Sequence, residues 1–139
     1  MKMVNNRGIA ILMATYNGAK YLREQIDSIL NQTHSDWTLY IQDDGSSDDT
    51  VNIVKSYADE RIQLVDIGLS RQGAGMNFMT LLNMVESEYY MFCDQDDVWF
   101  PDKIEKSLMR MREDESKHGK EIPIIVHTDR THVNEDLSV

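Results

Sequence analysis

Short apolar runs recur along this 139-residue chain, and each one ends in small polar or acidic residues before an amphipathic stretch begins. That alternation constrains the fold more than any other feature of the sequence. Ile9, Ile11, Leu12 and Met13 follow Gly8 as an apolar run suited to a buried strand. Thr15-Tyr16-Asn17-Gly18 then breaks it as a loop. Over 21–31, Leu22, Ile26, Ile29 and Leu30 fall on one helical face. Trp37, Leu39 and Ile41 alternate as a second strand, which runs into Asp43-Asp44-Gly45-Ser46-Ser47. Ser47 is the expected N-cap of a helix reaching about Ala58, with Asp48 and Asp49 in its first turn.

The same alternation continues. Ile62, Leu64, Val65 and Ile67 predict a third strand, and 68–75 a loop. Residues 76–86 predict a helix with Phe78, Leu81, Leu82 and Val85 on one side. Tyr89 to Cys93 is a nearly continuous apolar strand ending at Asp94. Pro101 suits the first turn of the next helix, striped by Ile104, Leu108 and Met111. Ile124-Ile125-Val126 predicts a last strand ending in His127-Thr128-Asp129. Strands alternating with helices imply an α/β domain with a mainly parallel sheet. In such sheets ligands bind beyond the carboxyl ends of the strands. Four loops, those at 15–17, 43–49, 94–97 and 127–129, are expected on one sheet edge.

Charge sharpens that expectation. The chain carries 24 acidic and 14 basic side chains, for a net charge of −10. Asp43, Asp44, Asp48, Asp49, Asp94, Asp96 and Asp97 account for most of the excess, and they fall in two strand-end clusters. So acidic a chain repels phosphodiester backbones and anionic membrane surfaces, which argues against nucleic-acid partners. No apolar run is long enough to span a bilayer, and Cys93 stands alone, without a disulfide or CxxC partner. A cytoplasmic protein, or one peripheral at the inner face of the membrane, is the expectation.

Three carboxylates in Asp94-Gln95-Asp96-Asp97 raise one another's pKa or need a cation. Hard cations such as Mg²⁺ and Mn²⁺ accept one or two carboxylates, with phosphate oxygens and water completing the shell. The bland alternative is an acidic turn before a helix, where Asp is favoured in any case. For Asp43-Asp44-Gly45-Ser46-Ser47 the alternatives are a turn with a helix cap, or acceptors for a nucleobase N–H or sugar hydroxyl. Tyr16 is either a strand-end cover for the core or a ring on which a base stacks. There is no GxxxxGK[ST] or GxSxG, and Gly73-Ala74-Gly75 lacks the third glycine of a dinucleotide fingerprint.

Taken in order, these pieces resemble the glycosyltransferases of family 2, which have the GT-A fold. The resemblance lies in Ile11–Gly18, in Ser28-Ile29-Leu30-Asn31-Gln32-Thr33, in Ile41–Asp48, and in Cys93–Trp99 with Pro101-Asp102-Lys103. It covers nearly the whole chain, which then reads as a single domain, 1–139. The wording Asp-Gln-Asp-Asp-Val-Trp is similar to a rhamnosyltransferase-like subgroup acting on bacterial surface polysaccharides. The resemblance implies a Rossmann-like nucleotide-diphospho-sugar transferase, inverting, moving a sugar from a UDP- or dTDP-sugar to a saccharide or lipid-linked saccharide hydroxyl. It implies a nucleotide pocket of Thr15, Tyr16, Asn17, Asp43 and Asp44. Asp94 and Asp96 would hold Mg²⁺ or Mn²⁺ in a DxD motif, and Asp97 would contact the donor sugar. The general base is expected beyond Val139, so the chain reads as a truncated, donor-binding half.

Two other readings compete. Asp94-x-Asp96-x-Val98 fits the DxDx[TV] pattern of metal-dependent aspartyl-nucleophile phosphatases, although that motif normally opens a domain. A phosphate-receiving signalling domain would need a late strand-end Lys, where Asp129 and Arg130 stand.

Overall fold

In the computed structural model, which describes residues 2–68 and 70–139, a four-stranded parallel sheet forms the centre of the first of two compact units, Met1–Pro101. Its strands are β2 (Ile9–Thr15), β3 (Trp37–Asp43), β4 (Ile62–Leu64) and β6 (Tyr89–Cys93), in the order β4-β3-β2-β6. Two short strands, β1 (Met3–Val4) and β5 (Val85–Glu86), pair in parallel as a separate ribbon. The helices of this unit are α1 (Leu22–Leu30), α2 (Thr50–Lys55) and α3 (Ala74–Met84). The second unit, Asp102–Val139, consists of α4 (Lys103–His118) and a segment without regular structure.

Burial explains why β2 is central. All seven of its residues are buried, as a strand flanked by partners on both sides and covered on both faces requires. It pairs with β3 from Ile9↔Trp37 to Thr15↔Asp43, and with β6 from Ile9↔Tyr89 to Met13↔Cys93. Side-chain alternation sends Ala10, Leu12 and Tyr40 to one face, where they join Val65, Leu81 and Val85 in a core cluster with α3. Ile11, Met13, Leu39 and Ile41 point to the other face and are equally buried. Right-handed crossovers place α1 and α2 on that second face, since the chain steps from β2 to β3 to β4 in one direction. The step back to β6 places α3 opposite. The reversal at β2/β6 is a topological switch point, where parallel α/β sheets leave a crevice for ligands.

The parallel α/β expectation holds, and the strand at 89–93 forms as expected. Several boundaries differ, each for a physical reason. Ser47 does not cap α2: the helix begins at Thr50, and it is Asp48 whose carboxylate accepts the Thr50 N–H, at 3.0 Å. The third helix starts and stops two residues early, because Val85 and Glu86 leave it to pair with Met3 and Val4. Pro101 stands just before Asp102, the cap position of α4, and its carbonyl accepts the Thr33 N–H at 2.8 Å. Of the 68–75 loop, Leu69 lies outside the described residues.

The expected strand at 124–126 does not form, and Ile125 is 87% exposed. A strand exists only through its ladder partners, and Pro123 beside this triplet removes one donor. His127-Thr128-Asp129 is therefore not a strand-end loop. Thr128 instead accepts a hydrogen bond from Lys103 Nζ at 3.0 Å. Among the described residues, no helix is long and apolar enough to cross a membrane.

Candidate functional site at the strand ends

Three of the four expected loops gather at the carboxyl edge of the sheet. The strand order puts the loop after β2 in the middle, with the two acidic clusters on either side, after β3 and after β6. The central loop is fastened to its β3 neighbour by a dense set of hydrogen bonds. Asn17 has a positive φ of 47°, a conformation that Asn tolerates better than most residues. Its N–H donates to Ser46 Oγ at 2.8 Å, and its Oδ1 accepts the Ser47 N–H at 2.8 Å. Gly18 N–H donates to Thr50 Oγ1 at 2.9 Å, and Ala19 N–H to Asp48 Oδ2 at 3.0 Å. The Thr50 hydroxyl also bonds Asp48, and this bond holds the Asp48 carboxyl below its ordinary value.

The five expected nucleotide-pocket residues divide by exposure. Tyr16 is 52% exposed and Asn17 is exposed, while Thr15 and Asp44 are buried. Thr15 Oγ1 donates to Asp43 Oδ1 at 2.8 Å. Asp43 also closes its own turn, accepting the Gly45 and Ser46 N–H groups at 3.0 and 2.8 Å. Asp44 reaches the other way. Its two carboxylate oxygens accept the Gln72 and Gly73 N–H groups, each at 2.8 Å, at the head of α3, while its carbonyl accepts the Arg71 N–H at 3.1 Å. Burial pushes the Asp44 carboxyl up, but the N–H groups of Gln72 and Gly73, with the Asn77 amide, outweigh it and leave it below the usual carboxylate range. The Ser46 hydroxyl also donates to Asp43 Oδ1 at 2.6 Å, so each Asp43 oxygen already accepts two hydrogen bonds and this carboxylate shapes the loop.

The second acidic cluster is more open. Asp94, Asp96 and Asp97 are all exposed. Partial burial pushes the Asp94 carboxyl up, and the Asp97 and Asp96 charges push it further. Unlike Asp43 and Asp44, these three carboxylates accept no backbone N–H among the described residues, and their like charges lie close together. Among the described residues no group of three or more His, Cys, Asp or Glu side chains is gathered to hold a metal unaided. A cation here would take at most two protein carboxylates and fill its shell with oxygens from water and ligand. That hard, oxygen-only donor set fits Mg²⁺ or Mn²⁺.

The segment carrying these carboxylates is anchored by α1 and by Gln32 just beyond its end. Ser28 Oγ accepts the Trp99 N–H at 3.0 Å, and Gln32 Nε2 donates to the Phe100 carbonyl at 2.8 Å. Gln25 is fully buried beside this segment, and with its amide oxygen and nitrogen interchanged the nitrogen donates to the Asp97 carbonyl and the oxygen accepts the Trp99 indole N–H at 3.3 Å. Sequence reasoning singled out Ser28 and Gln32 as part of a motif without their role. It gave no site role to Gln25, Thr50, Gln72, Gly73 or Gln95. A polar residue on the apolar stripe of α1, as Gln25 is, was the readable sign.

Comparison with known proteins bears on the fold and the family. The profile of Glycosyl transferase family 2 matches residues 10–118. A dTDP-rhamnosyl transferase from Shigella flexneri, RfbG, is 39% identical over 102 residues, which is 69% of this chain and 35% of that protein. An Escherichia coli glucosyltransferase, WfgD, named for UDP-Glc and an α-D-GlcNAc-diphosphoundecaprenol acceptor, is 33% identical over 74% of this chain and 40% of its own length. The chain thus spans well under half the length of these relatives. Staphylococcus aureus TarS 1–349 in complex with UDP-GlcNAc superposes with a TM-score of 0.68 at 24% identity, covering 81% of this chain and 32% of that one. A Pyrobaculum calidifontis mannosyltransferase in complex with GDP-Man and Mn²⁺ gives 0.64 at 22% identity, over 73% and 31%. These likenesses meet the expectation of a GT-A fold, and with the match across 10–118 the chain belongs to glycosyl transferase family 2.

Proposed function

We propose that this chain binds the nucleotide-diphosphate sugar used by an inverting glycosyltransferase of bacterial surface-polysaccharide synthesis. One observation carries the reading. In a family 2 chain, an exposed aromatic ring stands at the switch point between two acidic strand-end loops. In this reading the Tyr16 ring lies against the nucleobase, while Thr15, Asn17, Asp43 and Asp44 shape and line the pocket on the β3 side. Asp94 and Asp96 hold Mg²⁺ or Mn²⁺ together with diphosphate oxygens, and Asp97 faces the donor sugar. The bound cation supplies neutralisation of the charge that develops on the leaving diphosphate. The fixed loops supply orientation, so little ordering is left for the moment of reaction.

Relatives named for dTDP- and UDP-sugars support a UDP- or dTDP-sugar donor, and the WfgD name supports a lipid-linked saccharide acceptor. Such an acceptor places the work at the inner face of the membrane. The family match runs through Asp94–Asp97 as one continuous span from residue 10, so the phosphatase reading, which needs that motif to open a domain, finds no support. The assignment of the cation is tested by Asp96→Ala. Thermal unfolding with UDP or dTDP should show a Mn²⁺-dependent rise in Tm for the wild-type chain and none for the variant. An equal rise in both would remove Asp96 from the metal site.

A further inference from the structure

Gln95 separates Asp94 from Asp96, and its side chain does not point along with theirs into solvent. Its Oε1 accepts the Tyr16 N–H at 2.9 Å, and its Nε2 donates to the Tyr16 carbonyl at 3.1 Å. One side-chain amide thus takes up both backbone polar groups of one residue. The contact continues the β2–β6 ladder past its last backbone pair, Met13↔Cys93, and spans the crevice at the switch point. Gly18 is fitted to the same contact. A Cβ there would lie 2.6 Å from Gln95 Cδ and closer still to Oε1. Gly18 does not adopt a positive φ, so glycine is needed there for space. The other flank of the loop is already held by Ser46 and Thr50 of the β3 side.

The geometry points to Gln95 as a positioning residue that fixes the distance between the Tyr16 ring and the carboxylates of Asp94 and Asp96, so that one nucleotide meets its base contact and its cation contact together. This rests on the nucleotide-sugar reading above. Only a residue with one donor and one acceptor at this reach completes the clasp. Glu offers no donor to the Tyr16 carbonyl and adds a like charge between two others, and Asn is one methylene shorter. If the clasp couples the two contacts, it appears as linkage: the cation tightens nucleotide binding, and the nucleotide tightens cation binding by the same factor.

The test is calorimetric titration of UDP and of dTDP into the chain, with Mn²⁺ and with EDTA, for the wild type, Gln95→Ala, Gln95→Glu and Gly18→Ala. The gain in nucleotide affinity given by Mn²⁺ should fall by about fivefold or more in each variant, within the usual range of coupling between sites. Gly18→Ala combined with Gln95→Ala should lose no more than Gln95→Ala alone, because both remove one contact. A merely structural role would instead lower Tm and weaken binding by the same factor with and without Mn²⁺. An undiminished Mn²⁺ gain in folded Gln95→Ala, or in Gly18→Ala should the first variant not fold, overturns the inference while leaving the nucleotide reading intact. If the folded wild type binds neither nucleotide, the nucleotide reading fails and the inference goes with it.

Discussion

Asp43 and Asp44 are adjacent, yet their carboxylates serve different segments. The acidic pair is legible in the sequence as a strand-end cluster. The division of labour is not, because the partners of Asp44 are N–H groups 28 and 29 residues further on. Asp44 has a testable pH signature. Its folded carboxyl sits below the unfolded value of about 3.9, so its stabilisation is complete above that pH and is lost as pH falls through the folded value. The urea-unfolding free energy should therefore drop as pH is lowered from about 5 towards 2. Asp44→Asn should flatten part of that slope and should cost about 1–3 kcal/mol at neutral pH, since an amide cannot accept both N–H groups. An unchanged slope in the variant would contradict the role given to this carboxylate.

Legibility at the scale of elements follows burial. The strands at 9–15 and 37–43 announce themselves because buried parallel strands are apolar along most of their length, and that at 89–93 by its run of aromatic and apolar residues, although only Cys93 of it is buried. The β1–β5 ribbon has two residues a side, too short for any periodicity to show. Helix ends moved for two reasons: the neighbouring Asp48 carboxylate, not Ser47, accepts the Thr50 N–H, and Val85 and Glu86 leave α3 to pair with Met3 and Val4. Residues 124–126 have the composition of a strand but no ladder partner, and composition alone cannot supply one. The central position of β2 gives a further prediction. Leu12 is fully buried in the cluster beneath α3, so Leu12→Ala should destabilise by about 2–5 kcal/mol in urea unfolding. A loss below about 1 kcal/mol would mean that the sheet is not packed there as described.

For the whole molecule, the net charge of −10 is a local property as much as a global one. Seven of the aspartates stand on the two loops that flank Tyr16, where the switch point of the sheet opens. A divalent cation should therefore stabilise the chain beyond what ionic strength alone achieves. Millimolar MgCl₂ should raise Tm more than NaCl of equal ionic strength, and equal effects would reduce the clusters to general surface charge. The gathering of three loops at one sheet edge, and their acidic character, were readable from strand-end composition. The ties that hold its loops in register, from α1 and Gln32 and from Gln95 across the crevice, required the fold. The most direct measurement of the central claim is calorimetric titration of UDP and dTDP into the wild-type chain in Mn²⁺ and in EDTA. The account predicts saturable one-to-one binding of at least one nucleotide that is markedly tighter with Mn²⁺. Folded protein that binds neither nucleotide under either condition would contradict it.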